Sequence, residues 1–433
     1  NTLATTDEGR FSVPNFPTNT TERDIRDTRL GSLSYVYRAP TVRGSFVVAA
    51  SYNQVSTFDR NLGFSGSNAA NALSQSFLPY DSEFAVEVED GGQVPVFYND
   101  IPALAYNAGA IEFYQDLYDQ GEYPFEPAAW FGTAVDQQGR LLEEGQMREL
   151  SFGTAVEASK GVMVGLGANL VFGTYRFESL FEEFDAAGEN ADYSVAGGDY
   201  AGFEELIYRS GFESNLTGFN LRGGVSAMVA PSVRLGLSLE TPTFYTVDED
   251  YFSDLETVFS QGGSLVDRQN GTFEYTVTTP WRMGAGLAFV SGDLLLSGDV
   301  EYVDWSQMEL DSDADEFAEA NREIRDVLEP VLNTRIGAEY RVGALALRGG
   351  FGLQPDPRDY SAVTSEDQVD RSKTFYSVGF GYRFGEQFAL DLGWMQERFD
   401  DFYQPYGDVD STPPVVDESV VRNRFVVGVR VGF

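Results

Sequence analysis

VRNRFVVGVRVGF, residues 421–433, alternates. Val421, Phe425, Val427, Val429, Val431 and Phe433 hold the odd positions, with Asn423 the exception; Arg422, Arg424, Gly428, Arg430 and Gly432 hold the even ones, with Val426. Successive side chains of a strand point to opposite faces, so this stretch is a strand with one apolar face and one of charge and glycine. The split recurs in 375–384, where Tyr376, Val378, Phe380, Tyr382 and Phe384 oppose Ser377, Gly379, Gly381 and Arg383, and again in 293–304 and 334–341. A soluble sandwich alternates too, but its polar face is ordinary surface. Here the polar face crowds Gly beside Arg, Asp and Glu, as suits a polar lumen. The apolar face ends in Tyr35, Tyr37, Trp281, Tyr302, Trp305, Tyr382 and Trp394, the pattern of interfacial aromatic girdles. The expected fold is all-β: a transmembrane antiparallel β-barrel.

Composition narrows the chemistry. The 433 residues carry 68 acidic against 29 basic side chains, a formal charge of −39, with no Cys and no His. That removes disulfides, thiolate metal sites, Cys nucleophiles and the commonest general base. The acid excess speaks against nucleic acid. No run of eighteen apolar residues offers a membrane helix. No nucleophile–base pair emerges, since Lys160 sits in a turn and Lys373 at a loop edge; the expectation is no enzyme and no cofactor. Asp311-Ser-Asp313-Ala-Asp315 opens like a calcium loop, but Glu316 and Arg322 stand where an EF-hand needs Gly and a bidentate acid, so no metal site is expected.

Connection lengths set the organisation. Strands are read at 30–38, 43–55, 147–157, 160–177, 214–229, 232–245, 272–289, 293–308, 333–342, 344–354, 373–384, 387–402 and 419–433. Tight turns alternate with long connections at 56–146, 178–213, 246–271, 309–332, 355–372 and 403–418. In bacterial outer-membrane barrels short turns face the periplasm and long loops face outside, which puts Phe433 at the periplasmic end of its strand. Thirteen strands are visible, whereas such barrels have even numbers. One strand is therefore expected upstream of Asn1, with 1–29 as the extracellular loop after it and 30–433 as the barrel. The alternative, a strand near 8–17, is interrupted by Pro14 and Pro17.

Two sets of residues are candidates for a ligand. On the lumen face lie Arg222, Arg282, Arg335, Arg348, Arg422 and Arg424, whose planar forks suit a carboxylate; the alternative is that they pair with lumen acids such as Glu149, Glu240, Asp299, Glu301, Glu339 and Asp391. In the longest loop, Asp100 is placed to cap a helix ending near Gly121, with Leu104, Ala108, Ile111, Tyr114 and Tyr118 on one face and Phe125, Trp130 and Phe131 beyond. That stripe packs either on other loops or around an apolar ligand. The acid concentrated in the loops needs cations: divalent ions bridging to lipopolysaccharide, or a salt-rich habitat.

From Gly31 to Phe433 the chain resembles the OMPP1/FadL/TodX family of outer-membrane hydrophobic-compound transporters, in its Bacteroidetes-type branch. GSLSYVYRAPTVRGSFVVAASYNQVSTFDR (31–60), GVMVGLGANLVFGTYRFE (161–178), SVRLGLSLETPTFY (232–245), WRMGAGLAFVSGDLLLSGDVEYVDWSQMEL (281–310) and TRIGAEYRVGALALRGGFGLQPDP (334–357) carry the resemblance. It implies a monomeric fourteen-stranded barrel taking up long-chain fatty acids or other hydrophobic molecules. The family's N-terminal plug, with its Asn-Pro-Ala segment, has no counterpart and would lie before Asn1. The resemblance also implies a lateral opening at the third strand, here Arg43–Val55, where Ser45, Ala49, Ser51 and Asn53 are small and polar; the alternative is a regular strand. A second function is a scaffold barrel binding protein partners, as some relatives serve type IX secretion.

Overall fold

Alternation of this kind builds a wall. The computed structural model describes residues 2–12, 19–89, 92–312, 317–361, 369–385, 387–407 and 414–432, with side chains from Arg26 onward except Ala196. Fourteen passes run antiparallel. The first is β1 (Thr2–Ser12). The second descends as β2 (Asn19–Thr28) and β3 (Ser32–Ala39), and the third climbs as β4 (Phe46–Thr57) and β5 (Arg60–Asn68). An insert follows: α1 (Leu73–Ser76), the hairpin of β6 (Phe84–Glu89) and β7 (Gly92–Phe97), α2 (Asp100–Asn107), β8 (Ile111–Phe113), α3 (Gln115–Gln120) and β9 (Phe125–Pro127).

The chain then returns to the wall with β10 (Val135–Ser159) and β11 (Val162–Phe184), the short β12 (Ser194–Val195), and β13 (Tyr200–Ala230). The seventh pass is β14 (Val233–Glu240) with β15 (Phe244–Gln261); the eighth is β16 (Gly263–Thr278) with β17 (Arg282–Ser291). β18 (Leu294–Asp304), β19 (Glu309–Asp311), α4 (Ala318–Val327), β20 (Pro330–Val342), β21 (Leu345–Gln354), β22 (Lys373–Phe384), β23 (Phe388–Tyr403) and β24 (Val415–Val431) complete it. The ladder passes from β3 through β4 and β10 round to β23 and β24. β24 pairs with β1, and β1 with β2, which runs on into β3, so the sheet comes round to its start. Among the described residues, β3 pairs only with β4, and Val426–Val431 only with β23. No helix among them is long and apolar enough to cross a membrane.

The barrel is as alternation and connection lengths predicted, and its loop end departs in three places. Residues 1–29, expected as a loop, hold β1 and β2, and Thr2–Ser12 pairs with Val415–Phe425. Backbone pairing needs no apolar face, so a polar stretch serves as well as a greasy one. Pro14 and Pro17, which argued against a strand, fall after Ser12 and outside the described residues. Residues 246–271, also expected as a loop, are the β15–β16 hairpin turning at Gly262 and Gly263; buried Val247, Leu255, Thr257 and Phe259 alternate with acids that masked them as strand. Likewise 178–213 is mostly wall, since β11 runs to Phe184 and β13 starts at Tyr200. Asp313, Asp315, Glu316 and Phe433 lie outside the described residues.

The apolar core sits at the loop end, where the insert packs into the barrel mouth. Leu104, Ala105, Ile111 and Phe125 are buried with Leu62, Phe64, Phe181, Leu206, Leu255 and Tyr406 from the wall and its connections. Phe64 lies flat on Gly139 of the neighbouring strand: a Cβ there would meet the ring Cζ at 2.2 Å. Gly139→Val should therefore cost about 1–3 kcal/mol by overpacking, measured as the urea midpoint of the detergent-folded barrel. Gly236→Ala, where a Cβ meets nothing within 4 Å, should leave it unchanged.

Candidate functional site

The loop residues picked from the sequence divide. The single helix expected from Asp100 to Gly121 is two. Asn99, not Asp100, caps the first, accepting from the Ile101 amide, and Gly121 ends the second in the left-handed region. Between them Ile111–Phe113 pairs with Phe125–Pro127, because an extended segment lets Ile111, Phe113 and Phe125 all bury. Leu104 and Ile111 are fully buried and Phe125 nearly so, Tyr114 and Trp130 are half-buried, and Tyr118 and Phe131 are exposed. They build the core of the insert. Phe84 and Phe113 meet Phe125 edge to face there, and Phe97 and Tyr123 pack on it tilted.

The lumen arginines are engaged. Arg222 lies 2.8 Å from Glu149 and 2.6 Å from Glu240, and Arg348 2.6 Å from both Glu339 and Asp391. Arg335 reaches Asp299 and Glu301 at 3.2 and 3.4 Å, and Arg282 lies 3.9 Å from Glu301 and over the Trp305 ring. Arg422 is 4.0 Å from Glu397 and donates to the Asp59 carbonyl at 3.3 Å. Arg424 has no ion pair among the described residues. The pairing alternative raised by the sequence is the one the structure adopts. An open cavity of about 730 Å³ is lined by part of this band, Arg222, Asp299, Glu301 and Arg335, together with Val47, Ala49 and Met163 and glycines including Gly165, Gly224 and Gly284.

The strand expected to carry an opening is continuous where that opening was placed. Ala49, Ser51 and Asn53 pair with β3 on one side and β10 on the other, and Ser45 precedes β4. A side chain's size does not break a ladder while both partner strands keep register. An irregularity lies higher and crosses three adjacent passes at one level; another interrupts the seventh, eighth and ninth passes at 241–243, 279–281 and 305–308. At the first of these levels the breaks are as follows. β2 gives way to β3 at Arg29–Gly31, β4 to β5 at Phe58–Asp59, and β10 shifts register between Met147 and Arg148 just beyond Gly145. Gly145 has φ +142°, and a Cβ on it would meet the Thr174 carbonyl at 2.2 Å. Arg29 stitches the gap, donating to the Gly145 carbonyl at 3.3 Å and to Asp59 at 2.9 Å, while the Phe58 amide bonds the Gly145 carbonyl at 3.2 Å. Arg60 lies beside it, buried between Glu418 at 2.8 Å and Glu143 at 3.0 Å. Neither Asp59 nor Arg60 stood out in the sequence, because nothing local marks a charge that will be buried by strands hundreds of residues away.

A second buried polar group locks the insert to the mouth. Gln137 donates to Glu183 at 2.8 Å and to the Tyr406 hydroxyl at 2.7 Å, Asn68 donates to Tyr406 at 3.1 Å, and Tyr406 donates to Asn71 at 2.9 Å. Glu183 also accepts the Leu73 amide at 2.8 Å, while its Oε1 has no hydrogen-bond partner among the described residues. Burial pushes the Glu183 carboxyl up to about 7 against those hydrogen bonds, which favour the charged form. Burial and the nearby Glu183 likewise push Tyr406 well above its ordinary value.

No family model matches the chain, and no curated protein does. Among solved structures it is similar to the P. putida toluene transporter TodX, at 13% identity over 100% of this chain and 89% of that one, with a TM-score of 0.49. It is similar to a Pseudomonas aeruginosa FadL homologue, at 9% identity over 99% and 89%, with a TM-score of 0.48. The Ralstonia pickettii toluene transporter TbuX shares 15% identity over 100% and 89%, with a TM-score of 0.42.

The raised Glu183 value has a consequence for stability. A carboxyl that binds its proton more tightly folded than unfolded favours the fold below its unfolded value, and that contribution is lost as pH rises through about 7. The barrel should lose about 3 kcal/mol between pH 4.5 and 8 from this group, read from urea midpoints across that range. Glu183→Gln should flatten that part of the profile; an unchanged slope would assign the dependence elsewhere.

Proposed function

We propose that the protein is an outer-membrane channel for uncharged hydrophobic small molecules. They enter at the loop end, which faces outside, and leave sideways into the bilayer at the interrupted level around Thr57–Arg60. The observation that carries this reading is the coincidence of two features: three adjacent passes lose regularity at one level, and the axial route below it runs past paired charges. An apolar solute gains about 0.8 kcal/mol for each methylene it withdraws from water, and a lumen of ion pairs returns none of it. An opening in the wall does, provided the freed backbone groups find partners, and Arg29 supplies some of them.

Neutral cargo is favoured over fatty carboxylates. To hold a carboxylate, Arg222, Arg335 or Arg348 would have to release one of its own, and a chain of formal charge −39 repels anions at its mouth.

The chain has no cysteine, so the opening can be stapled on a clean background. Thr57 and Gln146 are direct cross-strand partners, and Thr57→Cys with Gln146→Cys places two thiols within disulfide reach. Uptake of a radiolabelled arene or alkane into cells should fall about tenfold when the pair is oxidised and recover on reduction, since closing the wall removes the apolar exit. Uptake that ignores the staple would sink lateral release. Faster uptake of a fatty carboxylate than of its uncharged alcohol would sink the neutral-cargo reading.

A further inference from the structure

The basic side chains are not spread evenly. At the tight-turn end, Arg38 and Arg43 flank the first turn, Arg234, Arg341 and Arg383 stand within a few residues of three others, and Arg430 on the last strand lies opposite Ala389 beside the last of these. Lys160 sits in a fifth turn. The acids at this level are Glu157, Asp293, Glu339 and, in sequence, Glu386, within a chain that elsewhere is overwhelmingly acidic. All six arginines are exposed. Arg341 pairs with Glu339, while Arg38, Arg43, Arg234, Arg383 and Arg430 have no ion pair among the described residues.

Their direction selects the partner. Alternation puts Arg234 on the face of Gly236 and Glu240, Arg383 on that of Gly381, and Arg430 on that of Gly428, and a Cβ on Gly381 or Gly428 would meet the lumen-facing Asp391. These arginines therefore ring the inside of the mouth. The outward positions beside them are exposed Leu235, Val342, Tyr382, Phe384, Val429 and Val431, an apolar belt for lipid tails. A phospholipid headgroup would meet that belt and not the ring. Nor does a single small anion fit. Adjacent strands stand about 4.8 Å apart, so Arg234 to Arg341 spans about 14 Å of wall and Arg383 to Arg430 about 10 Å.

We infer that the tight-turn mouth is a docking site for an acidic polypeptide segment, whose separated carboxylates meet this ring of arginines. The acid of the loop end lies a barrel length away, beyond the roughly 8 Å over which physiological salt transmits charge. The inference rests on the orientation proposed above only for locating the partner in the periplasm; the binding itself does not depend on it.

The test uses the detergent-folded barrel and fluorescently labelled poly-L-glutamate, read by anisotropy. Wild type should bind saturably and more weakly as salt rises. Arg234→Ser with Arg383→Ser and Arg430→Ser, checked for heat-modifiable mobility, should weaken binding about tenfold or more, because three of the separated contacts are gone. The same three positions as Lys should keep it within about threefold, since charge is retained, and the loop-end pair Arg268→Ser with Arg322→Ser should change nothing. Absence of wild-type binding, equal binding by the Ser triple, or loss in the Lys triple overturns the inference. So does a Ser triple impaired only in retention on phosphatidylglycerol vesicles. Uptake of neutral solute reports separately on the channel reading.

Discussion

In hydrocarbon a peptide group has no water to bond, so each strand in the wall must satisfy its N–H and C=O groups on its neighbours. Almost everything else in this protein depends on that constraint. It draws Thr2–Ser12, polar as it is, onto the upper edge of the last strand. It holds Ala49, Ser51 and Asn53 in a ladder on both sides despite their small side chains. It also explains why the level at which the second, third and fourth passes falter is stitched by Arg29 and by the Phe58 amide on the Gly145 carbonyl. A break in such a wall persists only where side chains and displaced backbone make good the lost bonds.

Charge is arranged on the same scaffold in three layers. The loop end is acidic and packed with the apolar core of the insert, locked by the Glu183–Gln137–Tyr406 network. In the middle, arginines are held by neighbouring carboxylates across adjacent strands. The tight-turn end is basic, and there Arg38, Arg43, Arg234, Arg383 and Arg430 have no ion pair among the described residues, while Arg341 pairs with Glu339. In the middle layer Arg222, Arg282, Arg335 and Arg348 are each already engaged with a carboxylate. The interruption lies between the apolar core above and the paired charges below.

Much of the barrel was legible because a period of two survives in any sequence whose two faces differ. Val421–Phe433 and Tyr376–Phe384 announce their strands, and the alternation of tight and long connections orders them. That legibility stopped where both faces are polar. Residues 246–271 and Thr2–Ser12 form strands above or at the rim of the apolar belt, so their acids and threonines carry no apolar face that composition can reveal. The amphipathic stripe of the insert was visible, but not its division into α2, β8 and α3, since Leu104, Ile111 and Phe125 bury equally well in either geometry until their partners are known.

By itself, the sequence determined that this is an antiparallel barrel, which face of its alternating strands is apolar, and that neither cysteine nor histidine chemistry takes place in this chain. Only the tertiary structure decided what the lumen arginines do, since a guanidinium on one strand is free or engaged according to the register of the next. It alone placed the interruption at Thr57–Arg60 and buried Asp59, Arg60 and Glu183. Those positions are fixed by contacts such as Arg60 with Glu418, which lie far apart along the chain and meet only once the wall comes round. Periodicity is a local property of a strand, whereas pairing and burial belong to the closed sheet.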